Sequence, residues 1–230
     1  MRGMKLAIAA LGATALAGCV QEARIAMPAD LAAGTERLEV AGMGHGERGD
    51  FTLGASQGRF VRQALQTRGH ILVHNVGRGG FDIAGPELGG RVTASCGFHE
   101  SELDAGAVTV SGDRLAYGCE FERDREPLTA QLLLAEVPTS RGLLAGRTRA
   151  GELQLGDMRI GIRAIHDMEG GRVPSGTPLG YAFDIDGRQI GAVDLNGGNK
   201  TIYAPRAPGT EREAVLMASL ALSVFWDPGA

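Results

Sequence analysis

The sequence feature that most constrains the fold is an uncharged apolar stretch near the C-terminus. Residues 214–226 contain two serines and no charged side chain, and Pro228 follows them. Just before the stretch, Thr210 and Glu213 have the spacing of a capping box, so we predict a helix over residues 210–226. A surface helix has a polar face and this one has none, so it should be buried on every side. It is also too short to span a bilayer.

Short strand-like segments occupy the chain before this helix. The clearest hairpin joins residues 181–185 to 189–195 through Asp186-Gly187, a pair that supplies the positive φ angles of a type I′ turn. Residues 158–165 alternate in the way typical of a strand with one buried face. The other segments with strand character are 38–40, 51–53, 59–61, 70–76, 81–84, 92–98, 108–110 and 115–121 around a predicted turn at 111–113, 128–137, 142–147, 151–155 and 200–204.

About a dozen antiparallel strands followed by one apolar helix resemble the tubby-like barrel, a family that includes the tubby domain, the phospholipid scramblases and the LURP-one-related proteins. The resemblance rests on the hairpin at 181–195 and the helix at 214–226. It implies an all-β, closed barrel of about 12 strands around a buried C-terminal helix, within one domain at 37–230. A two-sheet β-sandwich with a packed helix is the alternative. No binding residue is carried over, because the basic pocket of tubby domains is not matched: Lys200 is the only lysine after the leader.

The N-terminus has the pattern of a secretory leader. Arg2 and Lys5 precede an apolar run at 6–15, and Leu-Ala-Gly-Cys follows at 16–19. This motif resembles the lipobox of bacterial lipoproteins. The resemblance implies cleavage of a signal peptide at 1–18 and acylation of the Cys19 thiol.

The residues after Cys19 bear on location. Residues 19–36 are polar and rich in alanine, and we expect them to form the lipidated N-terminus and a tether. Enteric lipoproteins with Asp after the cysteine stay in the inner membrane. Val20 here favours the outer membrane facing the periplasm, with the inner membrane as the alternative.

Cys96 and Cys119 are the two cysteines that remain after Cys19. Period-two alternation places Cys96 on one face with Val92 and Phe98, and Cys119 on one face with Tyr117. Both cysteines therefore belong to apolar faces of nearby strands. Because thiols pair in the oxidising periplasm, we predict a disulfide, with two free buried thiols as the alternative.

Charge argues against a nucleic-acid partner. Without Arg2 and Lys5 of the leader, 21 basic residues face 27 acidic ones, a net charge of −6. Nucleic-acid binding needs a basic patch that replaces the counterions of phosphate. The membrane, through the N-terminal lipid, is the partner that the sequence indicates, and a protein or lipid partner is left unidentified.

Several groups of polar residues could form a binding or metal site, and each has a simpler interpretation. His70 and His74 share a strand face and could begin a metal site, but an exposed face explains them equally well. The remaining groups are an acidic loop (His99, Glu100, Glu102, Asp104), an oxygen-rich end suited to calcium (Asp184, Asp186, Asp194, Asn196, Asn199) and a glycine-rich bulge or turn at 77–80. We predict no catalytic residue, metal or cofactor.

These observations favour a lipid-anchored, periplasm-facing envelope protein with a non-enzymatic binding or structural role. The alternative is an envelope hydrolase whose nucleophile and base are brought together only by folding. A carrier with an empty barrel is disfavoured, because the predicted helix would fill the lumen.

Overall fold

The computed structural model describes residues 24–68, 72–104, 109–137 and 148–225. Within these ranges the chain forms one short helix, twelve strands, one 3₁₀ turn and a C-terminal helix. The elements are α1 (Ala29–Gly34), β1 (Thr35–Ala41), β2 (Arg48–Leu53), β3 (Ser56–Arg68), β4 (Leu72–Gly85), the 3₁₀ turn Pro86–Leu88, β5 (Gly90–Asp104), β6 (Thr109–Arg123), β7 (Glu126–Val137), β8 (Thr148–Leu155), β9 (Met158–Ile165), β10 (Gly180–Ile185), β11 (Arg188–Asp194), β12 (Lys200–Pro205) and α2 (Thr210–Val224).

The twelve described strands form a closed antiparallel barrel in which neighbours in sequence are neighbours in space. The first strand closes the ring: β1 pairs with β12 from Thr35 opposite Pro205 to Val40 opposite Lys200, and with β2 at Val40 opposite Leu53. Closure leaves no unpaired edge among the described strands, as the tubby-like resemblance implied. The sandwich alternative, which has two separate sheets, is therefore wrong.

The two ends of the barrel differ in their connections. Two-residue turns such as Asp186-Gly187 join β2–β3, β6–β7, β8–β9 and β10–β11 at what we call the tight-turn end. The predicted type I′ turn is confirmed, with φ of 51° at Asp186 and 79° at Gly187. The connections at the other end, including residues 42–47, 166–179 and 195–199, are longer, and we call it the long-loop end.

Helix α2 enters at the tight-turn end and fills the lumen. Every residue from 214 to 224 is buried, with at most 3% of its surface exposed. The helix packs against β3, β4, β8, β11 and β12, which lie around the whole ring, so it is surrounded by the sheet rather than resting on one face. Burial on every side is confirmed.

Inward-facing apolar side chains of the strands form one core with the helix. In β7 the alternation is strict, since Leu132 and Leu134 are buried while Leu133 is 49% exposed. The same period places Phe81 and Ile83 of β4 inside.

Two predicted turns lie within strands. Residues 77–80 continue β4 without a break in pairing, and residues 111–113 belong to β6 at a point where its pairing with β5 shifts register. In β4 the glycines permit close packing, because a Cβ at Gly77 would lie 2.0 Å from the Phe98 ring and one at Gly79 3.1 Å from the Val224 carbonyl oxygen. The predicted strand at 142–147 lies outside the described residues.

The capping box is also wrong. Gly209, with φ of 149°, occupies the N-cap position, and no side chain caps the helix. Glu213 instead forms an ion pair with Arg123 of β6. The capping-box motif predicted Thr210 as the partner of Glu213, but the partner of Glu213 is a side chain of the barrel wall.

The segment at 24–34, which the sequence analysis placed in a tether, packs against the barrel. Ile25 and Leu31 are buried, at 2% and 6% exposure, in a small cluster with Ala192 and Tyr203 on the outer face of β11 and β12. The packed part of the chain therefore includes Arg24 onward.

Candidate functional site

The tight-turn end of the lumen is closed by ion pairs between helix and barrel. Arg212 contacts both Glu36 of β1 and Glu87 of the 3₁₀ turn, the latter at 2.8 Å, and donates to the Pro205 carbonyl oxygen at 2.8 Å. Glu211 pairs with Arg188 of β11 at 2.8 Å. Acidic side chains in the first turn also suit the positive end of the helix dipole.

The other end of the helix is capped by side chains of the barrel. The last four carbonyl groups of an α-helix lack partners within the helix. Here the Tyr117 hydroxyl donates to the Ala221 carbonyl oxygen at 2.7 Å, and the Arg62 guanidinium donates to that of Ser223 at 3.3 Å. Arg62 also donates to Gly46 at 2.8 Å, so it joins the helix to the β1–β2 connection.

Burial of these capping groups changes their titration. Removal from water raises the pKa of Tyr117 well above its ordinary value, and nearby Tyr181 acts in the same direction. Burial lowers the pKa of Arg62. The lumen is therefore occupied by a helix that is fixed at both ends.

A largely apolar depression of about 750 Å³ lies on the outer face of β5–β8. It surrounds Leu133, so we call it the Leu133 depression; its lining includes Gly97, Gly118, Gly151, Ala116, Ala135, Ala150 and Glu152. Leu133 lies directly between Gly118 of β6 and Glu152 of β8 in the strand register. Because the neighbouring residues are small, the Leu133 side chain protrudes into an open depression.

The geometry of the Leu133 depression depends on its glycines. A Cβ at Gly151 would lie 2.0 Å from the Leu133 carbonyl oxygen, so only glycine fits there. At Gly97 the nearest atom to such a Cβ is 3.7 Å away, so a side chain would extend into the hollow. Glu152 pairs with Arg159 at 3.5 Å, which offsets its charge. The depression therefore suits an uncharged apolar group.

A second, polar groove of about 1160 Å³ crosses the outer face of β2–β5. Its charges compensate one another: Arg59 pairs with Asp50 at 3.3 Å, and Arg91 with Asp82 at 3.5 Å. Exposed pairs of this kind contribute little to stability. We interpret the groove as a solvated face.

Cys96 and Cys119 form a disulfide inside the barrel, as predicted. They are directly opposed in the β5–β6 register, with their Cα atoms 4.1 Å apart. Both side chains are buried, at 7% and 2% exposure. The bridge is part of the core and lies on the opposite face of the sheet from Gly97 and Gly118.

The acidic residues considered as an oxygen-rich end do not lie together. Asp184 lies toward the tight-turn end of β10 and pairs with Arg163 at 3.3 Å, whereas Asp194 ends β11 at the long-loop end. Asp194 is buried and accepts hydrogen bonds from the backbone amides of Ile25 at 3.0 Å and Asn196 at 2.9 Å. The length of the hairpin separates the two carboxylates.

The remaining predicted positions cannot be placed. Cys19, the leader and His70 lie outside the described residues. The same holds for the side chains of His74, His99, Glu100, Glu102 and Asp104. Among the side chains that are described, no group of three or more His, Cys, Asp or Glu could hold a metal ion.

Two features of the structure, the Leu133 depression and the buried Arg62, were not predicted from the sequence. The signal for the first was Leu132-Leu133-Leu134, because alternation forces the middle leucine of such a run outward. The signal for Arg62 was its spacing of two from Phe60, which places both on the inner face.

Comparisons with known proteins do not name a class for this chain. No protein-family model, no curated protein and no solved structure matches it. In the part of the chain that is described, no helix is long and apolar enough to cross a membrane.

Proposed function

We propose that this protein is a lipid-anchored envelope protein that faces the periplasm and has a non-enzymatic binding role. The observation that carries the proposal is the occupied lumen: α2 is buried on every side and is capped by Tyr117 and held by Arg212. Binding therefore uses the outer surface. The Leu133 depression is the binding site, because it is open and largely apolar and because Arg159 offsets the charge of Glu152. Its partner is an envelope component that presents an apolar group.

The anchor is the acylated Cys19, released from the signal peptide at 1–18, and Val20 directs the protein to the outer membrane. The leader pattern supports this part of the proposal. We also propose kinship with the tubby-like family, supported by the number of described strands, the closed ring and the central helix.

The anchor is tested with Cys19→Ser, because a hydroxyl cannot form the thioether. We expect the wild-type protein to incorporate radiolabelled fatty acid in cells and the variant to lose the label. A variant labelled as strongly as the wild type would contradict acylation at Cys19.

The binding site is tested by photo-crosslinking in cells. A benzoylphenylalanine at Ala135, which lines the depression and is exposed, should give a discrete adduct. The same group at Gln131 is the matched control, because Gln131 is exposed on the same strand outside the lining. Equal adducts at both positions, or none at Ala135, would contradict a site in the Leu133 depression.

A blocking variant sharpens this test. Gly97→Leu, whose Cβ would lie no closer than 3.7 Å to another atom, should fill the hollow and abolish the adduct at Ala135, with the melting temperature unchanged. Ser95→Leu adds the same side chain to the same strand outside the lining, and the adduct should persist. An adduct that survives Gly97→Leu would show that the depression is not the binding site.

A further inference from the structure

The first described residues lie at the long-loop end and are held there by hydrogen bonds. Ile25 bridges Met168 of the β9–β10 connection, and its amide donates to Asp194 at 3.0 Å. On either side of Ile25, the Ala26 amide donates to the Asp167 backbone carbonyl oxygen at 2.9 Å, and the Glu169 amide donates to the Arg24 backbone carbonyl oxygen at 2.9 Å. Arg24 therefore has a defined position at this end of the barrel.

The anchor cannot be far from Arg24. Five residue steps separate Cys19 from Arg24, and a fully extended chain spans at most about 3.5 Å per residue, so the reach is about 17 Å. A strand of the length of β1, seven residues, spans about 23 Å along its own axis. Because barrel strands tilt by about 35–45°, the tight-turn end lies only about 16–19 Å farther along the barrel axis than the long-loop end, a distance that uses the whole reach of a fully extended segment.

The β9–β10 connection, which holds the N-terminal segment, also carries side chains suited to contact with a membrane surface. Val173 is 74% exposed, the highest value among the large apolar residues in the described chain, and Arg172 beside it is exposed. A valine can enter the boundary between headgroups and acyl chains, while a guanidinium pairs with lipid phosphate. The tight-turn end instead carries two-residue turns and the ion pairs of Arg212 and Glu211.

We propose that the long-loop end is a membrane-facing surface, with Arg172 and Val173 at the phospholipid headgroups. This inference rests on the proposed function, because it takes Cys19 as the anchor. It assigns the barrel an orientation: the helix points its C-terminal end toward the membrane, and the tight-turn end points into the periplasm.

The test measures how close each end comes to lipid. An azidophenylalanine at Val173 or, as the matched control, at Asp157 of the exposed β8–β9 turn is coupled to the fluorophore NBD. The full-length processed protein is reconstituted in phosphatidylethanolamine–phosphatidylglycerol vesicles that contain nitroxide-labelled headgroups. We expect quenching at position 173 to be several-fold stronger than at position 157.

A second arm separates failure of the orientation from failure of the anchor. The chain starting at Cys19 is coupled through that thiol to a maleimide phospholipid, which the disulfide-bonded Cys96 and Cys119 do not react with. Quenching that is equal at the two positions, or stronger at 157, overturns the orientation whatever the cell attaches to Cys19. Unacylated Cys19 in the native protein, with preferential quenching at 173 in the coupled chain, overturns the anchor alone.

Discussion

Tyr117 links the sheet to the helix through a single hydroxyl group. Its ring is buried against Phe225, with centroids 4.6 Å apart, and its hydroxyl caps the Ala221 carbonyl oxygen. Nearby, Arg149 of β8 lies over the same Phe225 ring at 5.1 Å. The last turn of α2 is thus held by an aromatic and cationic shell from β6 and β8, where a helix more often ends on glycine.

Replacing Tyr117 with Phe should make the protein less stable in a pH-dependent way. Loss of the hydrogen bond should lower the free energy of unfolding by about 1 kcal/mol at neutral pH. Burial raises the pKa of Tyr117 in the folded state, so the wild-type side chain ionises first in the unfolded state, above about pH 10. Above that pH, ionisation of Tyr117 in the unfolded state should lower the free energy of unfolding of the wild type but not that of the variant. The difference in free energy of unfolding between the two proteins should therefore shrink.

Urea unfolding of both proteins at neutral pH and near pH 11 measures this difference, which should begin to shrink near the ordinary tyrosine pKa of about 10. Tyr203 is present in both proteins, so its ionisation cancels in the comparison. A difference that stays constant across this range would mean that Tyr117 is not protected from ionisation by burial.

Among the elements, α2 depends on strands that come close to it. A Cβ at Gly191 of β11 would lie 2.8 Å from the Val215 side chain, so glycine admits the helix to that strand. Ser223 donates to the Ser219 carbonyl oxygen at 2.7 Å, one turn earlier in the helix. The helix therefore fills its space closely, and no side of it is left for a charge.

Leu216→Asp and Ala218→Asp should each prevent accumulation of soluble folded protein. The two positions lie about 200° apart around the helix, and both are fully buried. An unpaired buried carboxylate costs several kcal/mol, a large part of the roughly 5–15 kcal/mol that stabilises a domain. Soluble yield and thermal melting of the processed chain measure the effect.

Thr210→Asp is the control for this pair. It adds the same charge at the exposed first residue of α2, where the helix dipole favours an acidic group. We expect a near-normal melting temperature. A cooperatively melting Ala218→Asp protein would mean that one side of the helix tolerates a charge, against its position inside the ring.

At the scale of the whole molecule, stability depends on contacts between distant parts of the chain. The ring closes through the pairing of Thr35 with Pro205, and Ile25 is bonded to Asp194. The Cys96–Cys119 disulfide joins two strands of that ring across a separation of 23 residues. The disulfide stabilises the protein by restricting the unfolded chain. Because disulfides persist in an oxidising compartment such as the periplasm, we predict that the stability of the protein depends on its location.

Replacing both Cys96 and Cys119 with Ala should lower the free energy of unfolding by about 3 kcal/mol, because the unfolded chain regains the freedom of the closed loop. Chemical denaturation measures the loss, and the reduced wild-type protein should show a similar one. Peptide mapping without reductant should find both thiols protected in protein from the periplasm. Alkylation of both in freshly prepared folded protein would contradict the bond.

Much of the architecture follows from local patterns. Alternation predicts the strands at 158–165 and 181–195, and the uncharged stretch predicts a helix that must be enclosed. The shared inner face of Cys96 and Cys119 predicts their bond. The strands and the helix depend on side chains within a few residues of one another, so the sequence alone determined a run of strands and an enclosed helix, whereas the closed barrel was implied by the tubby-like resemblance.

Other features were decided only by tertiary structure. Residues 77–80 look like a turn because they are mostly glycine, yet they form strand because Phe98 and the end of α2 need the space. Residues 24–34 look like a tether, yet two of their apolar side chains, Ile25 and Leu31, meet a complementary cluster on β11 and β12. The Leu133 depression arises where small residues of four strands come into register. Each depends on closure and register of the ring, which bring together residues too distant in sequence for any local pattern to relate.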